Sequence, residues 1–378
     1  MDVAFIFGTR PEITKSIGVA RCTAQQEGVN VFGVCTGQQT GLVLDTIRDL
    51  ELNRFIPIEW LSDKTKAGQD PEWISRAKAG LTSFLSSRRP AALIGTGDTN
   101  SVWVAAEMAR DCNTSFVHLE SGIRHPTTSL PSEPEEINRR RITKLTTLHL
   151  CPTARQRSHL LAEEIPNDQI HIVGDLSCAA IAEVWRIRRI RLASGQRGAE
   201  VGLPSMSGRI CVCTFHRSTS MDNFDHFIGA FNELVCFFPE IQFVISSRPD
   251  TRWERFYSSA RAAGNVSVLT ALPPCAFQEL LTTSDIVVTD SAGVQQEAIL
   301  LNRPVLALRR NIELYAEDPL LCVVQPPYHN LTLEFTRMLE HAYQARELGV
   351  SHVNQTGNLV IERCGRMIRS FCEAAGSA

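Results

Sequence analysis

Short apolar runs rich in β-branched residues alternate along the chain with longer segments whose apolar positions recur every three or four residues. This is the pattern of parallel strands buried on both faces and joined by helices. In the first half the expected strands are VAFIFGT (3–9), VFGVCTG (31–37), AALIGTG (91–97), SFVHLES (115–121) and IHIVGD (170–175). One expected helix follows Pro11 and another contains VWVAAEMAR. The second half repeats the theme with RICVCTF (209–215), IQFVIS (241–246), DIVVTD (285–290) and PVLAL (304–308). Between the two series, SGQRGAEVGLPSMSG (194–208) has the Gly, Ser and Pro content of a linker. The pattern predicts two α/β domains, 1–193 and 209–378, separated by 194–208. The helical segments near 332–346 and 359–374 either close the second domain or, for the last helix, cross back onto the first.

Composition narrows the picture. A chain of 378 residues, 43% hydrophobic and 21% charged, is long enough for two cores and is not a disordered sequence. A formal net charge of −3 gives no general basic field for nucleic acid, so any anion site is local. The twelve cysteines are scattered through strands and helices with no CxxC pair, as expected of buried thiols in a reducing compartment. MDVAFIFGTRPE lacks the basic start of a signal peptide, and no apolar run is long enough for a bilayer. The expectation is a cytoplasmic protein with neither nucleic-acid nor membrane partners.

Open parallel sheets bind ligands at the carboxyl ends of their strands, and four such junctions stand out. In Gly8-Thr9-Arg10-Pro11-Glu12, Thr9 reads as an N-cap, Pro11 as a first-turn residue and Glu12 as the second half of a capping box. Arg10 would then sit where the helix macrodipole disfavours a cation, unless an anion lies between them. At the second junction, Asp290-Ser291-Ala292-Gly293 leads from a strand into a helix carrying Glu297; small residues there admit a phosphate to the backbone N–H groups. A plain N-cap role for Ser291 and plain exposure for Glu297 are the bland alternatives. Third, His216-Arg217 follows the first strand of the second domain, where a histidine can share negative charge as a phosphate departs; a structural histidine is the bland reading. Fourth, Asp98 and Glu120 end two strands, and Glu135, Asn138 and Arg139 share a helix face by spacing. Asp98 as an N-cap, and Glu135 in a capping box with Ser132, compete with an acid/base site. No GxxxxGK[ST] occurs and Gly8 begins no GxGxxG, which argues against a P-loop ATPase or a dehydrogenase.

Taken in order, GTRPEITK (8–15), CTGQ (35–38), GDTNS (97–101), HLESGIR (118–124), PEEINR (134–139), FHR (215–217) and SDIVVTDSAGVQQEA (284–298) resemble the UDP-N-acetylglucosamine 2-epimerase family over most of the chain. The resemblance implies the GT-B fold of two Rossmann-like domains with a ligand cleft between them. It also implies a chemistry in which the anomeric C–O bond to UDP breaks and the C2 proton is removed, giving a glycal. UDP then returns to the other face, or water completes the reaction, and no cofactor or metal is required. By resemblance Asp98, Glu120 and Glu135 are the carboxylates, without one being singled out as the base, and His216 assists the departing diphosphate. Arg10, Ser291 and Gly293 are then assigned to the diphosphate, Glu297 to the ribose and Phe277 to the uracil face. Lys15, Asn138, Arg139 and Arg217 orient the site, and a homodimer is implied by analogy.

The chain departs from the family in three places. The TGQ signature continues as Gln39-Thr40-Gly41-Leu42 where many members have His-Arg-Glu-Met, which speaks against activation by a second substrate molecule. Thr219-Ser220 stands for a usual Glu-Asn pair, and Ile312-Glu313-Leu314-Tyr315-Ala316-Glu317 for a segment resembling TERPE. Epimerisation of UDP-GlcNAc to UDP-ManNAc is the leading expectation. The alternatives are hydrolysis to free sugar and UDP, a different sugar nucleotide, a glycosyltransferase of the same fold, or a non-catalytic nucleotide-sugar sensor.

Overall fold

The structure, a computed structural model, describes residues 1–61, 72–125, 134–195, 208–215, 224–247, 253–309, 312–345 and 349–376. The chain divides into two compact units, Met1–Ile187 together with Asn354–Ala378, and Arg188–Val353. Within the first unit lie strands β1 (Asp2–Phe7), β2 (Asn30–Cys35), β3 (Ile58–Trp60), β4 (Ala92–Thr96), β5 (Ser115–Leu119), β6 (Leu148–Cys151) and β7 (Ile170–Ile172). They form one sheet in the order β3-β2-β1-β4-β5-β6-β7, parallel throughout. Helices α1 (Arg10–Ala24), α2 (Thr40–Asp49), α3 (Trp73–Arg88), α4 (Asn100–Asp111), α5 (Pro134–Thr143), α6 (Ala154–Ala162) and α7 (Leu176–Ala193) connect or follow these strands. Their apolar positions bury the sheet, as in the cluster of Ala4, Ile6, Val34, Leu93, Phe116, Leu81 and Val102.

Register brings the candidate residues to one edge. Phe5 aligns with Ile94, and Thr96 with Leu119, so the chain leaves three adjacent strands at Gly8, Gly97 and Glu120. The strand order reverses between β1 and β4, which is where such sheets open a crevice at their carboxyl edge.

The second unit carries β8 (Arg209–Thr214), β9 (Ile241–Ser247), β10 (Val266–Thr270), β11 (Ile286–Thr289), β12 (Val305–Ala307) and β13 (Leu321–Val323) in the parallel order β10-β9-β8-β11-β12-β13. Its helices are α8 (Phe224–Phe237), α9 (Glu254–Ala260), α10 (Pro274–Thr283), α11 (Ala292–Leu300) and α12 (Leu331–Ala345). The order reverses between β8 and β11, the counterpart of the first unit. Its core is aromatic: the Phe215 ring lies 4.9 Å from Phe227, 5.8 Å from Phe231 and 5.5 Å from Phe256.

The division between units falls inside α7, after Ile187, earlier than the 194–208 segment expected to separate the domains. The first part of α7 is buried within the first unit, whereas Arg188 pairs with Glu279 of α10 at 3.0 Å. Residues 196–207 lie outside those described. The last helix, α13 (Gly349–Gly376), belongs to the first unit from Asn354 onward. It packs closely on α7: a Cβ on Gly357 would sit 2.2 Å from the Cys178 carbonyl oxygen. Among the described residues no helix is long and apolar enough to cross a membrane.

Candidate active site

The turn from β1 into α1 has the expected form. Thr9 is the N-cap, Pro11 is in the first turn, and the Glu12 carboxylate reaches back to accept the N–H groups of Gly8 at 2.5 Å and Thr9 at 3.1 Å. It also crosses to the neighbouring strand end, where Oε1 accepts the Thr99 hydroxyl at 2.5 Å. Glu12 is 2% exposed, and burial pushes its pKa up to about 7 against the pull of these donors. Gly8 is held by contact: a Cβ there would sit 1.8 Å from Ser101 Oγ, which is itself bonded to Thr36 and Gln38 at 2.7 Å each.

Thr99, rather than Asp98, caps α4, accepting the Val102 N–H at 3.4 Å. The Asp98 carboxylate turns instead to Arg139, whose Nε and Nη2 both lie 2.7 Å from Oδ2. Asn138 donates to the Asp98 carbonyl at 3.0 Å and to Asn100 Oδ1 at 2.9 Å, locking the loop from the side of α5. On the next strand end Glu120 accepts from Lys15 Nζ at 2.7 Å. Burial raises the proton affinity of Glu120, Lys15 opposes it, and Asp175 and Asp98 add to it. The Glu120 backbone is left-handed, φ 63°, a conformation that residues other than glycine rarely adopt without enforcement. Arg10 is the half-buried first residue of α1.

Glu135 does not join this group. It is exposed and makes no hydrogen bond or ion pair among the described residues. The inward carboxylate of α5 is Glu136, 2% exposed, which pairs with Arg140 at 3.0 Å and accepts the His125 N–H at 3.1 Å. One residue along a helix is about 100° of rotation, enough to exchange an inner face for an outer one. Ser132, its expected capping partner, lies outside the described residues.

In the second unit the ends of β8 and β11 are joined by a hydroxyl pair, Thr214 Oγ1 to Thr289 Oγ1 at 2.6 Å. The Ser291 N–H donates to Thr289 Oγ1 at 2.9 Å, and Ser291 Oγ caps α11 through a long 3.5 Å contact from the Val294 N–H. A Cβ on Gly293 would meet nothing nearer than Ser291 Oγ at 4.0 Å among the described residues. Packing there does not explain a glycine. Glu297 lies half-buried further along α11, and Phe277 half-buried on α10. His216 and Arg217 lie outside the described residues, although Phe215 just before them is anchored in the aromatic core. In the altered segment after β12, Glu313 accepts from Arg309 at 3.0 Å with both side chains buried, and the Leu314 carbonyl accepts from Gln295 at 3.2 Å.

Residues 22–352 match the family model described as UDP-N-acetylglucosamine 2-epimerase. The chain belongs to the UDP-N-acetylglucosamine 2-epimerase family. Among its relatives, a probable UDP-N-acetylglucosamine 2-epimerase of Ralstonia solanacearum is 29% identical over 317 residues, 82% of this chain and 83% of that one. The UDP-N-acetylglucosamine 2-epimerase of Neisseria meningitidis is 27% identical over 356 residues, 90% of this chain and 92% of that one. The crystal structure of UDP-GlcNAc 2-epimerase from Neisseria meningitidis bound to UDP-GlcNAc superposes with a TM-score of 0.83, at 23% identity and covering 98% and 99% of the two chains. The two Rossmann-like domains of the GT-B-like epimerase fold are therefore the fold of this family member.

Within this epimerase-family chain, several residues at the carboxyl edge escape sequence reasoning as site components. Thr99 and Gln38 stand inside family motifs without a role of their own, and local spacing marks Glu12 as a helix cap alone. His118, Ser121 and His149 form a buried line that reaches the Gly97 carbonyl just before Asp98 and flanks Glu120, and only the fold brings His149 to it.

Proposed function

We propose that the protein is a nucleotide-sugar 2-epimerase that interconverts UDP-N-acetylglucosamine and UDP-N-acetylmannosamine by eliminating UDP and returning it across a glycal. The observation that carries this reading is the pairing of two carboxylates with cations on adjacent strand ends, Asp98 with Arg139 and Glu120 with Lys15, in a chain of this family. The sugar C2 proton is not acidic. Departure of UDP first places positive charge on the ring, and that charge acidifies C2. Asp98, gripped by Arg139 and Asn138, stays in place and stabilises the charged ring. Glu120, with its proton affinity raised by burial, moves the proton. Inversion requires delivery of the proton to the opposite face of C2, by a group other than Glu120.

The leaving group is assigned to the remaining residues. Arg10, Ser291 and Gly293 hold the diphosphate, Glu297 the ribose and Phe277 the uracil, while His216 offsets charge on the departing phosphate and Arg217 orients it. The chemistry transfers a proton and a phosphate oxygen, never a hydride, so it needs no redox cofactor. We infer a cytoplasmic homodimer, for which light scattering of the purified protein is the check.

Incubation with UDP-GlcNAc, followed by separation of nucleotides and sugars by anion-exchange chromatography, tests the assignment. UDP-ManNAc accumulating supports it. Free ManNAc with UDP selects the hydrolysing reaction, and unchanged substrate overturns the choice of sugar.

A further inference from the structure

Three strand ends of the first unit are tied together by side chains that the reaction itself does not use. His118, on β5, bonds through Nε2 to the Gly97 carbonyl after β4 at 2.8 Å. Its Nδ1 meets Ser121 Oγ at 3.1 Å, and Ser121 Oγ meets Nδ1 of His149, on β6, at 2.8 Å. All three are buried, at 2%, 0% and 0% exposure. No protein partner reaches His149 Nε2 among the described residues.

The direction of every bond follows from the atoms. The Gly97 carbonyl only accepts, so His118 Nε2 carries a proton. Burial, together with the nearby Arg124 and Arg139, lowers the pKa of His118 to about 4, with Asp98 opposing; the ring is neutral at pH 7, so its Nδ1 is a lone pair. The Ser121 hydroxyl must then donate to His118, which leaves its oxygen to accept from His149 Nδ1–H. Burial, His118 and Arg124 lower His149 to about 3, so that ring too is neutral and its Nε2 is bare. Reversing any one bond would demand a second proton on His118.

We infer that His118, Ser121 and His149 form a one-way hydrogen-bond relay that positions Asp98 and Glu120 for the reaction, a claim resting on the functional reading above. The bond to Gly97 fixes the peptide immediately before Asp98. The bond between His118 and Ser121 spans Glu120 and pins both sides of its left-handed turn, φ 63°. These are positioning residues, since none of the three is assigned to substrate. Bonds running head to tail polarise one another, so the relay is stiffer than its separate contacts. The misplacement of a catalytic group by an ångström costs about 100-fold in rate.

The test has two readouts. Long-range ¹H–¹⁵N correlation on protein labelled at its ten histidines, assigned with His118→Asn and His149→Asn, should show His118 protonated at Nε2 and His149 at Nδ1, with neither ring charging between pH 8 and pH 5.5. The opposite tautomer at either ring, or an imidazolium in that range, overturns the relay. Kinetically, Ser121→Ala and His149→Leu should each lower kcat by about 100-fold with KM changed less than about threefold. His149→Asn, which keeps a donor at the Nδ1 position, should restore most of the loss. Equal losses in His149→Asn and His149→Leu, or a loss confined to KM, would contradict positioning. Should wild type turn over no nucleotide sugar, the functional reading fails and the positioning role falls with it, while the tautomers still decide whether the relay exists.

Discussion

The carboxyl edges of the two sheets are built from opposite materials. In the first unit the edge is crowded with charge: Glu12, Asp98 and Glu120 each meet a donor or a cation, and Gly8 is a glycine because Ser101 leaves no room for a Cβ. In the second unit the edge is hydroxyls and small residues over an aromatic core, and Gly293 has space around it that described neighbours do not fill. The contrast teaches a division of labour. Held charges move protons and stabilise charge in a transition state, whereas a small-residue helix start binds phosphate through its backbone. Substitutions at the carboxylates and Gly8 of the first edge should therefore alter rate or fold, and those at the small residues of the second should alter affinity.

The sharpest break comes at Glu120. Glu120→Gln keeps the shape and removes the proton carrier, so kcat should fall about 1000-fold while UDP affinity, read by calorimetry, stays near wild type. Loss of UDP binding instead would move Glu120 to the binding side of the comparison.

Next in size is the pH dependence carried by Glu12. Its folded pKa, about 7, lies above its unfolded value near 4.5. Its contribution to stability is therefore complete below pH 4.5 and lost as pH rises through 7. Other groups titrate across the same window, so the measurement is a difference. From pH 4.5 to 7.5 the stability of Glu12→Gln should improve relative to wild type by up to about 3 kcal/mol in urea denaturation. A constant difference would mean that folding leaves the titration of Glu12 unshifted.

The glycines give the cleanest pairing of the two edges. Gly8→Ala forces a Cβ against Ser101 and should cost about 2 kcal/mol of stability, visible in Tm. The smallest effect is at Gly293→Ala, which should leave Tm unchanged or slightly raised while KM for the nucleotide sugar rises about tenfold. An unstable Gly293→Ala protein with normal KM would erase the distinction.

Much of this architecture is legible in the chain. The Gly8 to Glu12 junction is readable because Thr, Pro and Glu at those spacings have a local helix-start meaning, and the long buried strands stand out by their β-branched runs. The strands that escape are mostly edges: β3 and β13 are three residues long, and β10 is nowhere fully buried, so no alternation marks them. β6 lies inside the sheet but is four residues long, with a histidine in the middle of it. Asp98 is open to reading as a cap because Asp and Thr compete for that role; the choice between them depends on Arg139, 41 residues away. Glu135 and Glu136 differ by one helical step, which spacing alone does not orient. The pairing of Ser121 with His149 spans 28 residues between neighbouring strands, and no local signal records it.

In the mechanism proposed for this chain, the first unit performs proton chemistry at C2. Proton NMR of the purified protein with UDP-GlcNAc in deuterated water measures that directly. The C2 proton signal should be lost to deuterium in the product as UDP-ManNAc accumulates. Product that retains its C2 proton would contradict it, since transfer of the sugar without breaking the C2–H bond needs neither Asp98 to stabilise a charged ring for C2 deprotonation nor Glu120 to carry the proton.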